Sequence, residues 1–336
     1  MKKNLWLFAA APLVQWNGFV DTYYAWDFNA PPSRERSYTT QQQKADTFGL
    51  NLVSLGAKLE ADRRRGALVL QYGDSVDSNY ALEPKQGEGI KHIQEAYAGI
   101  KLSEEVWMDA GIYLGHIGNE SWISKDNWTY SRSMQLDYVP YYATGVRFVG
   151  KNWQLHLMNG WQNIKENNSG KAVGTQYVWS FGDRTLTYNT QVGHEPFFGR
   201  GTSGLRTYQN LHLDVPGQRI SWRGAWDVGT QNVPGKEQAQ VWAATSSQWR
   251  WSLAELWKQA FRLEYFHDQK GAISPTGTRG GFRVFGVSTN FDWAMEEGAL
   301  VRFELKRLQA TDSIYPGRAG LKQTSTIVAT SVALSF

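Results

Sequence analysis

The chain has 336 residues, no cysteine, 16 tryptophans and 16 tyrosines. Its formal net charge is only +4, and Lys2 and Lys3 contribute to it from a predicted targeting segment, which argues against a nucleic-acid-binding protein. The lack of cysteine excludes disulfides, thiolate metal ligands and cysteine nucleophiles. No stretch reaches the ~20 apolar residues of a membrane helix. A polar chain rich in aromatic residues therefore favours a membrane β-barrel over a helical membrane protein.

The first residues are typical of an export signal. Residues 1–15 have a basic start, a short apolar run and then small residues. Pro12 directly after Ala11 leaves the cleavage site open. The sequence thus predicts an export segment at 1–15 and one domain at 16–336.

Strand-like segments follow one another along the whole domain, about sixteen in number with a range of twelve to eighteen. In chain order they are Trp16–Asp27, Thr47–Glu60, Ala67–Gly73, Ile90–Leu102, Val106–Gly115, Tyr141–Val149, Trp153–Gln162, Gly174–Gly182, Thr185–His194, Thr207–Val215, Gln218–Gly229, Gln238–Trp249, Lys258–His267, Gly281–Trp293, Ala299–Arg307 and Ser325–Phe336.

The connections between these segments alternate between short and long. Ser103–Glu105 and Pro216–Gly217 are typical of tight turns, whereas Phe28–Asp46, His116–Pro140 and Leu308–Thr324 are long. This rhythm predicts an all-β chain: a transmembrane antiparallel up-and-down β-barrel of the bacterial outer membrane. Its short turns and both termini would lie in the periplasm, and its long loops outside.

The strands have two different faces. In Val301–Lys306, apolar side chains alternate with arginine, glutamate and lysine. An arginine facing lipid at mid-depth costs roughly 2–4 kcal/mol, so we expect the charged face to line an aqueous lumen. The predicted lumen residues are Asp21, Lys58, Glu95, Asp109, Arg147, Arg219, Arg223, Arg262, Glu264, Arg302 and Glu304.

The last strand ends on an aromatic residue. Val328–Phe336 alternates apolar with small residues, and the carboxylate directly follows Phe336. Outer-membrane barrels usually end in this way, because the last strand must pair with the first. We therefore expect the barrel-assembly machinery to act on this strand, and outer-membrane lipid and lipopolysaccharide to surround the barrel.

Short motifs occur in a fixed order over roughly the first half of the chain. They are Gly18–Tyr24, Glu95–Tyr97, Asp109–Gly111, Tyr130–Ser133, Pro140–Tyr142, Gly145 and Asn159–Trp161. Together they resemble the OmpL-like β-barrel porin family of Gram-negative outer membranes. The resemblance implies a pore for an unassigned solute and brings no catalytic residues. The short leader departs from the family pattern and leaves the mature N-terminus open.

The long loop His116–Pro140 is the candidate functional segment. It carries Glu120, Lys125, Asp126 and Arg132 and is the third long loop in chain order. By resemblance to general porins, the third loop folds inward, so these four residues would form a pore constriction that selects solutes by size and charge. An equally weighted alternative is a surface loop with solvated charges. Glu120 and Asp126 would oppose wall arginines, for which the candidates are Arg147, Arg219, Arg223, Arg262 and Arg302.

No catalytic, cofactor or metal site is predicted. The 6 histidines are scattered without metal-ligand spacing, and no nucleophile elbow, P-loop or dinucleotide motif is found. The sequence therefore predicts a porin, not an enzyme, through which small hydrophilic solutes or ions diffuse passively without a cofactor. Like many barrels of this size, it is expected to form a homotrimer.

Three alternatives stay open. A barrel-type lipid hydrolase would need a serine, a histidine and an orienting polar group on the lipid-facing rim. A non-conducting structural or adhesive barrel would share the fold without the pore. A soluble β-sandwich would show the same alternation, because its outer face is solvated.

Overall fold

The computed structural model describes residues 13–83, 88–197, 203–295 and 298–336, and in these ranges sixteen strands form one closed barrel. The barrel strands are β1 (Leu13–Asp27), β2 (Phe48–Glu60), β3 (Arg64–Tyr72), β4 (Ile93–Ser103), β5 (Val106–Leu114), β6 (Tyr142–Val149), β7 (Trp153–Met158), β8 (Ala172–Phe181), β9 (Arg184–Pro196), β10 (Ser203–Val215), β11 (Ile220–Gln231), β12 (Gln240–Ser252), β13 (Trp257–Asp268), β14 (Phe282–Ala294), β15 (Ala299–Ala310) and β18 (Thr324–Ser335). The predicted antiparallel barrel of sixteen strands is confirmed.

The predicted export segment falls mainly on residues 1–12, which lie outside the described residues. The first strand begins at Leu13, inside the range that the sequence assigned to this segment. The export function of the segment stays a prediction.

The barrel closes between its first and last strands. Pairing of β1 with β18 runs from Phe19↔Ser335 to Asp27↔Ile327. Beyond it, the Gly18 amide donates to the Phe336 carbonyl at 2.7 Å, and the Phe336 amide donates to Gly18 at 3.1 Å. Within the described ranges, each barrel strand therefore pairs on both sides, as strands in lipid require.

The two faces of the strands are as different as the sequence predicts. On β15, Phe303 and Leu305 point outward and are 47% and 41% exposed, whereas Arg302 and Glu304 are buried. Trp257 and Trp293 stack outside the barrel at 5.6 Å near its short turns. The outer surface is therefore apolar and the interior is charged, which suits a barrel surrounded by lipid.

Long connections gather at the end of the barrel opposite the short turns. They contain the helices α1 (Asp74–Asn79) and α2 (Met134–Asp137) and single 3-10 turns at Glu88–His92 and Ser124–Asp126. Among the described residues, no helix is long and apolar enough to span a membrane.

Beyond shifts of a few residues at strand ends, two regions differ from the sequence-based strands. The seventh strand ends at Met158, so Asn159–Gln162 is loop. There the Trp161 amide donates to Glu195 at 2.8 Å, and this contact turns the chain over the barrel mouth. The second difference is a small hairpin of β16 (Tyr315–Gly317) and β17 (Gly320–Lys322) within the predicted last long loop.

Candidate functional site

The connection between β5 and β6 lies inside the barrel. Along residues 115–141, here called the inner loop, only Lys125 and Asp126 are exposed, while most other side chains are buried. A surface loop would expose its polar side chains to water. The loop therefore occupies the lumen, where it packs against the inner faces of the strands.

Charged side chains of β13 and β15 hold the middle of the inner loop. Glu304 accepts hydrogen bonds from the Ser131 amide at 2.6 Å and from its Oγ at 2.9 Å. Arg262 donates to the Ser131 carbonyl at 2.7 Å, and Glu264 accepts from the Met134 amide at 2.5 Å. These charges are fully buried and have opposite-charge partners, as buried ions require.

A second set of contacts holds the preceding turn of the loop. Arg302 donates to the Ser124 carbonyl at 2.6 Å and to the Asn127 carbonyl at 2.7 Å while it pairs with Asp292 at 2.8 Å. From the other side of strand β18, Asp21 on β1 accepts from the Ser124 hydroxyl at 2.7 Å. The turn thus bridges the two strands on either side of the closing strand β18.

An aromatic side chain of the loop lies between two arginines of the wall. The Arg223 guanidinium stands 3.9 Å from the centre of the Trp128 ring, and that of Arg250 stands 4.7 Å from it. Arg223 also donates to the Asn119 carbonyl at 2.8 Å. Cation–π contacts of this kind strengthen when the partners are desolvated, so strands β11 and β12 also fix the loop.

A separate charge cluster lies on β3, β5 and β6. Asp109 is completely buried and accepts from Arg65 at 2.7 Å and from Arg147 at 2.8 Å. Arg65 also stacks on Trp107, which therefore shares the inner face with Asp109. One carboxylate here serves two guanidinium groups, so the cluster carries an excess of one positive charge.

Uncharged amides line the next strands of the wall. Gln154 donates to Gln176 at 2.8 Å, Gln176 to Asn189 at 2.9 Å, and Asn189 to Asn210 at 2.7 Å. Asn210 in turn donates to Asp227. This chain of side-chain hydrogen bonds crosses five strands from β7 to β11, and it gives this part of the wall a polar surface with little charge.

Two cavities remain beside the inner loop. The mouth cavity, about 430 Å³, lies among the long loops and is lined by Val139, Trp161 and Arg206. The inner cavity, about 360 Å³, lies between the inner loop and the wall and is lined by Pro140 and Arg147. Val139 and Pro140 are consecutive residues, so the two cavities meet the same short stretch of the inner loop.

The predicted constriction residues have two kinds of environment. Glu120 is buried and accepts from Ser133 at 2.7 Å, and Arg132 is buried against the Tyr141 ring at 3.8 Å. Lys125 and Asp126 pair with each other at 3.4 Å and are exposed. Glu120 lies opposite Arg262 at 3.5 Å, in line with the predicted opposition of charges, whereas Asp126 pairs with its neighbour in the chain.

Most predicted lumen residues lie on barrel strands with their charges directed inward. Lys58 pairs with Glu95 at 2.9 Å, and Arg223 with Asp214 at 3.5 Å. Arg219 is an exception, because it lies in the exposed turn between β10 and β11 and is not on the wall. The full set on the strands is Asp21, Lys58, Glu95, Asp109, Arg147, Arg223, Arg262, Glu264, Arg302 and Glu304.

The predicted lumen set left out several members of the network, among them Lys306, whose strand alternation already indicated the charged face. Lys306 donates to the Arg132 carbonyl at 3.0 Å, and Asp292 pairs with Arg302. Both lie an even number of positions from inward-facing residues of their own strands, and this alternation could have identified them. Arg65 was missed for another reason: it lies at the start of β3, before the predicted strand.

The scattered histidines do not form a metal site. No group of three or more metal-ligating side chains lies close enough within the described ranges. His116 and His156 do stack, with ring centres 4.1 Å apart. Burial lowers the pKa of His116 to about 4, against the opposing effect of its hydrogen bond to the Thr190 carbonyl.

Comparison with known proteins agrees with this architecture. No curated protein matches the chain in sequence. Among solved structures, the trimer form of OmpT of Vibrio cholerae superimposes with a TM-score of 0.66 at 11% identity, over 97% of this chain and 100% of that one. An anion-selective porin from Comamonas acidovorans gives 0.66 at 9% identity, also over 97% and 100%. Salmonella typhi OmpF in complex with daunomycin gives 0.60 at 11%, over the same shares.

At these identities the superpositions establish a shared fold, that of outer-membrane porins. The family is established independently by a family model described as "Putative beta-barrel porin-2, OmpL-like", which matches residues 13–336, nearly the whole chain. The chain therefore belongs to this OmpL-like family of outer-membrane porin-type barrels.

Proposed function

We propose that the protein lets small hydrophilic solutes or ions diffuse passively through a narrow, water-filled lumen, without a cofactor and without catalysis. The observation that carries this proposal is the placement of the inner loop. It fills much of the lumen, yet it leaves a mouth cavity of about 430 Å³ and an inner cavity of about 360 Å³ on either side of Val139–Pro140. Solutes would pass between the inner loop and the polar wall.

The polar lining supports diffusion of hydrated solutes. The amides of Gln154 and Gln176 face the inner cavity together with Arg147. Hydrogen-bonding groups of this kind can replace part of a solute's hydration shell and lower its barrier to entry. We expect a small cut-off size, because hydrogen bonds fix the inner loop to strands β1, β11, β13 and β15 of the wall.

The experiment is a size series of uncharged polyols in liposomes that contain the refolded protein. Small polyols should enter and larger ones should be excluded. The size limit should be smaller than that of liposomes containing an open general porin. Liposomes impermeable to every polyol and to salt, with a folded barrel confirmed by its heat-dependent gel shift, would contradict the proposal.

The same liposomes address the enzymatic alternative. A lipid hydrolase would release fatty acid from phospholipid, with or without calcium, whereas the proposed porin would leave the lipid intact.

Orientation and assembly complete the proposal. Both termini and the short turns would face the periplasm, the apolar outer surface would contact outer-membrane lipid and lipopolysaccharide, and the barrel-assembly machinery would insert the chain through its last strand. A homotrimer is supported by the trimer form of the OmpT structure with which the barrel superimposes. Crosslinking in the membrane should give species up to a trimer; only monomers would contradict this part.

A further inference from the structure

We propose that the inner cavity makes the pore selective for small anions and that Arg147 is the residue that determines this selectivity. This inference rests on the proposed diffusion function and adds the charge class of the solute.

The guanidinium of Arg147 is the cationic group at the cavity wall. Arg147 lines the inner cavity, and its side chain is 16% exposed. One side of the guanidinium is occupied by Asp109 at 2.8 Å, and the Tyr113 ring lies 4.6 Å away. The Tyr113 ring and the Asp109 carboxylate fix the position of the guanidinium without covering it completely.

The partner of Arg147 is shared. Asp109 is completely buried and accepts two hydrogen bonds from Arg65, both at 2.7 Å, as well as one from Arg147. Two positive charges against one negative charge leave a net charge of +1 beside the cavity. The neighbouring Lys58–Glu95 pair, at 2.9 Å, adds no net charge.

The carboxylate beside the cavity is less accessible than the Arg147 guanidinium. Glu120 also lines the cavity, but its side chain is 0% exposed. Its carboxylate accepts from the Ser133 amide and hydroxyl at 2.8 and 2.7 Å and from Gln248 at 2.8 Å, and Arg262 lies 3.5 Å away. Arg262 is shared by Glu120, Glu264 and Glu304, and Lys306 lies 3.3 Å from Glu264, so these three carboxylates and two cations carry one excess negative charge. Because the Glu120 side chain has no exposed surface, this excess lies behind the cavity wall, whereas the Arg147 guanidinium reaches the surface.

The remaining groups are neutral. Burial lowers the pKa of His116 to about 4, so this side chain carries no charge at pH 7. Its ring stacks on His156, which contacts Gln154 at 3.1 Å. The Gln154 and Gln176 amides complete this side of the cavity. Among the described residues, an ion in the inner cavity therefore meets the exposed part of one guanidinium, hydrogen-bonding amides and no exposed carboxylate.

The expected size of the effect follows from electrostatics. A unit charge ~5 Å from a permeating ion changes its energy by about 0.8 kcal/mol even at the dielectric constant of water, which corresponds to roughly a four-fold change in occupancy. Less water in the cavity increases the effect. Removing the charge of Arg147 should therefore lower the anion-to-cation permeability ratio by at least about four-fold.

The test is the reversal potential of the refolded full-length protein in planar bilayers under a potassium chloride gradient. The wild type should prefer chloride. Arg147→Gln should lower this preference by at least about four-fold, while Arg147→Lys, which keeps the charge, should retain most of it. The control is Arg184→Gln, an identical change of charge at an exposed position beside a short turn, which should behave as the wild type.

Each result decides the matter. A wild type that conducts but prefers potassium, or has no preference, would overturn the inference and leave the diffusion function in place. So would an Arg147→Gln variant with unchanged selectivity. If Arg147→Gln does not fold by its gel shift, the wild type and Arg147→Lys still decide, because both must prefer chloride. A folded wild type without any conductance would overturn the diffusion function and this inference together.

Discussion

Glu304 on β15 accepts two hydrogen bonds from Ser131 on the inner loop, at 2.6 and 2.9 Å, although the two residues are 173 positions apart in the chain. Arg262 completes the contact, since it donates to Ser131 and lies 3.5 Å from Glu304. The charged inner face of the barrel and the inner loop therefore form one hydrogen-bonded structure. In a barrel without an inner loop, these charged side chains would line the lumen. Here they hold the polar inner loop in place.

The first prediction concerns this contact. Glu304→Ala should destabilise the folded barrel by about 3 kcal/mol, because it removes one carboxylate partner of the buried Arg262 and leaves the two Ser131 donors unpaired in the interior. The loss should appear as a lower temperature for the heat-dependent gel shift. Glu105→Ala removes the same side chain from an exposed short turn and should have little effect. Equal shifts in the two variants would contradict the role of Glu304.

The second prediction concerns the width of the pore. Deletion of Ser121–Asp126 removes the turn that Arg302 and Asp21 hold, so single-channel conductance should increase. The control is deletion of Pro234–Ala239, six exposed residues of another long connection, which should leave conductance unchanged. Unchanged conductance after the first deletion would mean that the inner loop does not limit the pore.

The third prediction concerns a glycine of the barrel wall. Gly111 has a φ of +137°, and an added Cβ would lie 2.2 Å from the Ala96 carbonyl oxygen. Gly111→Ala should therefore destabilise the barrel by about 2 kcal/mol or more. Gly89→Ala, where an added Cβ meets open space, should be neutral. Urea titration of both variants followed by the gel shift measures the difference, and an unaffected Gly111→Ala would disprove the strain.

The fourth prediction is a pH dependence. Burial lowers the pKa of His116 from 6.5 to about 4, and the nearby Arg147 adds to this effect. The unfolded chain therefore binds a proton more readily between these values. The contribution of neutral His116 to the free energy of unfolding is therefore fully present above about pH 6.5 and is lost as the pH falls toward 4. The loss is about 3 kcal/mol for this difference between the two pKa values.

The measurement compares the unfolding temperature at pH 7.5 and pH 4.5. His116→Asn should reduce the difference between the two pH values. The control is His194→Asn, at an exposed position on β9, which should keep the difference found in the wild type. A difference that persists fully in His116→Asn would assign the pH dependence to other groups.

The strands were predictable because successive side chains of each strand point alternately to the lipid and to the lumen. In Val301–Lys306 the alternation is complete, and the structure places its charges inward. The prediction that Arg219 faces the lumen is wrong, because Arg219 lies in the turn before β11 begins at Ile220. Outside a strand, the alternation of side chains does not indicate which face a residue lies on. The local pattern predicts strand at Asn159–Gln162 for a similar reason, because the polar contacts that make this segment a loop, such as that of Trp161 with Glu195, come from distant residues.

The inner loop was only partly predictable. Its length and charge suggested a constriction, but a solvated surface loop fitted the sequence equally well. What distinguishes the two is burial through contacts such as Glu304 with Ser131, which join distant parts of the chain. Such pairings depend on barrel closure and register and cannot be deduced from local periodicity. The shared carboxylate of Asp109 depends in the same way on three strands coming together.

The most direct test of passive diffusion is the single-channel current of the refolded wild type in a planar bilayer. We expect discrete current steps, smaller than those of the Ser121–Asp126 deletion variant. A barrel that is folded by its gel shift, inserted in the bilayer and silent at every voltage would contradict it, because the lumen beside the inner loop would then be closed.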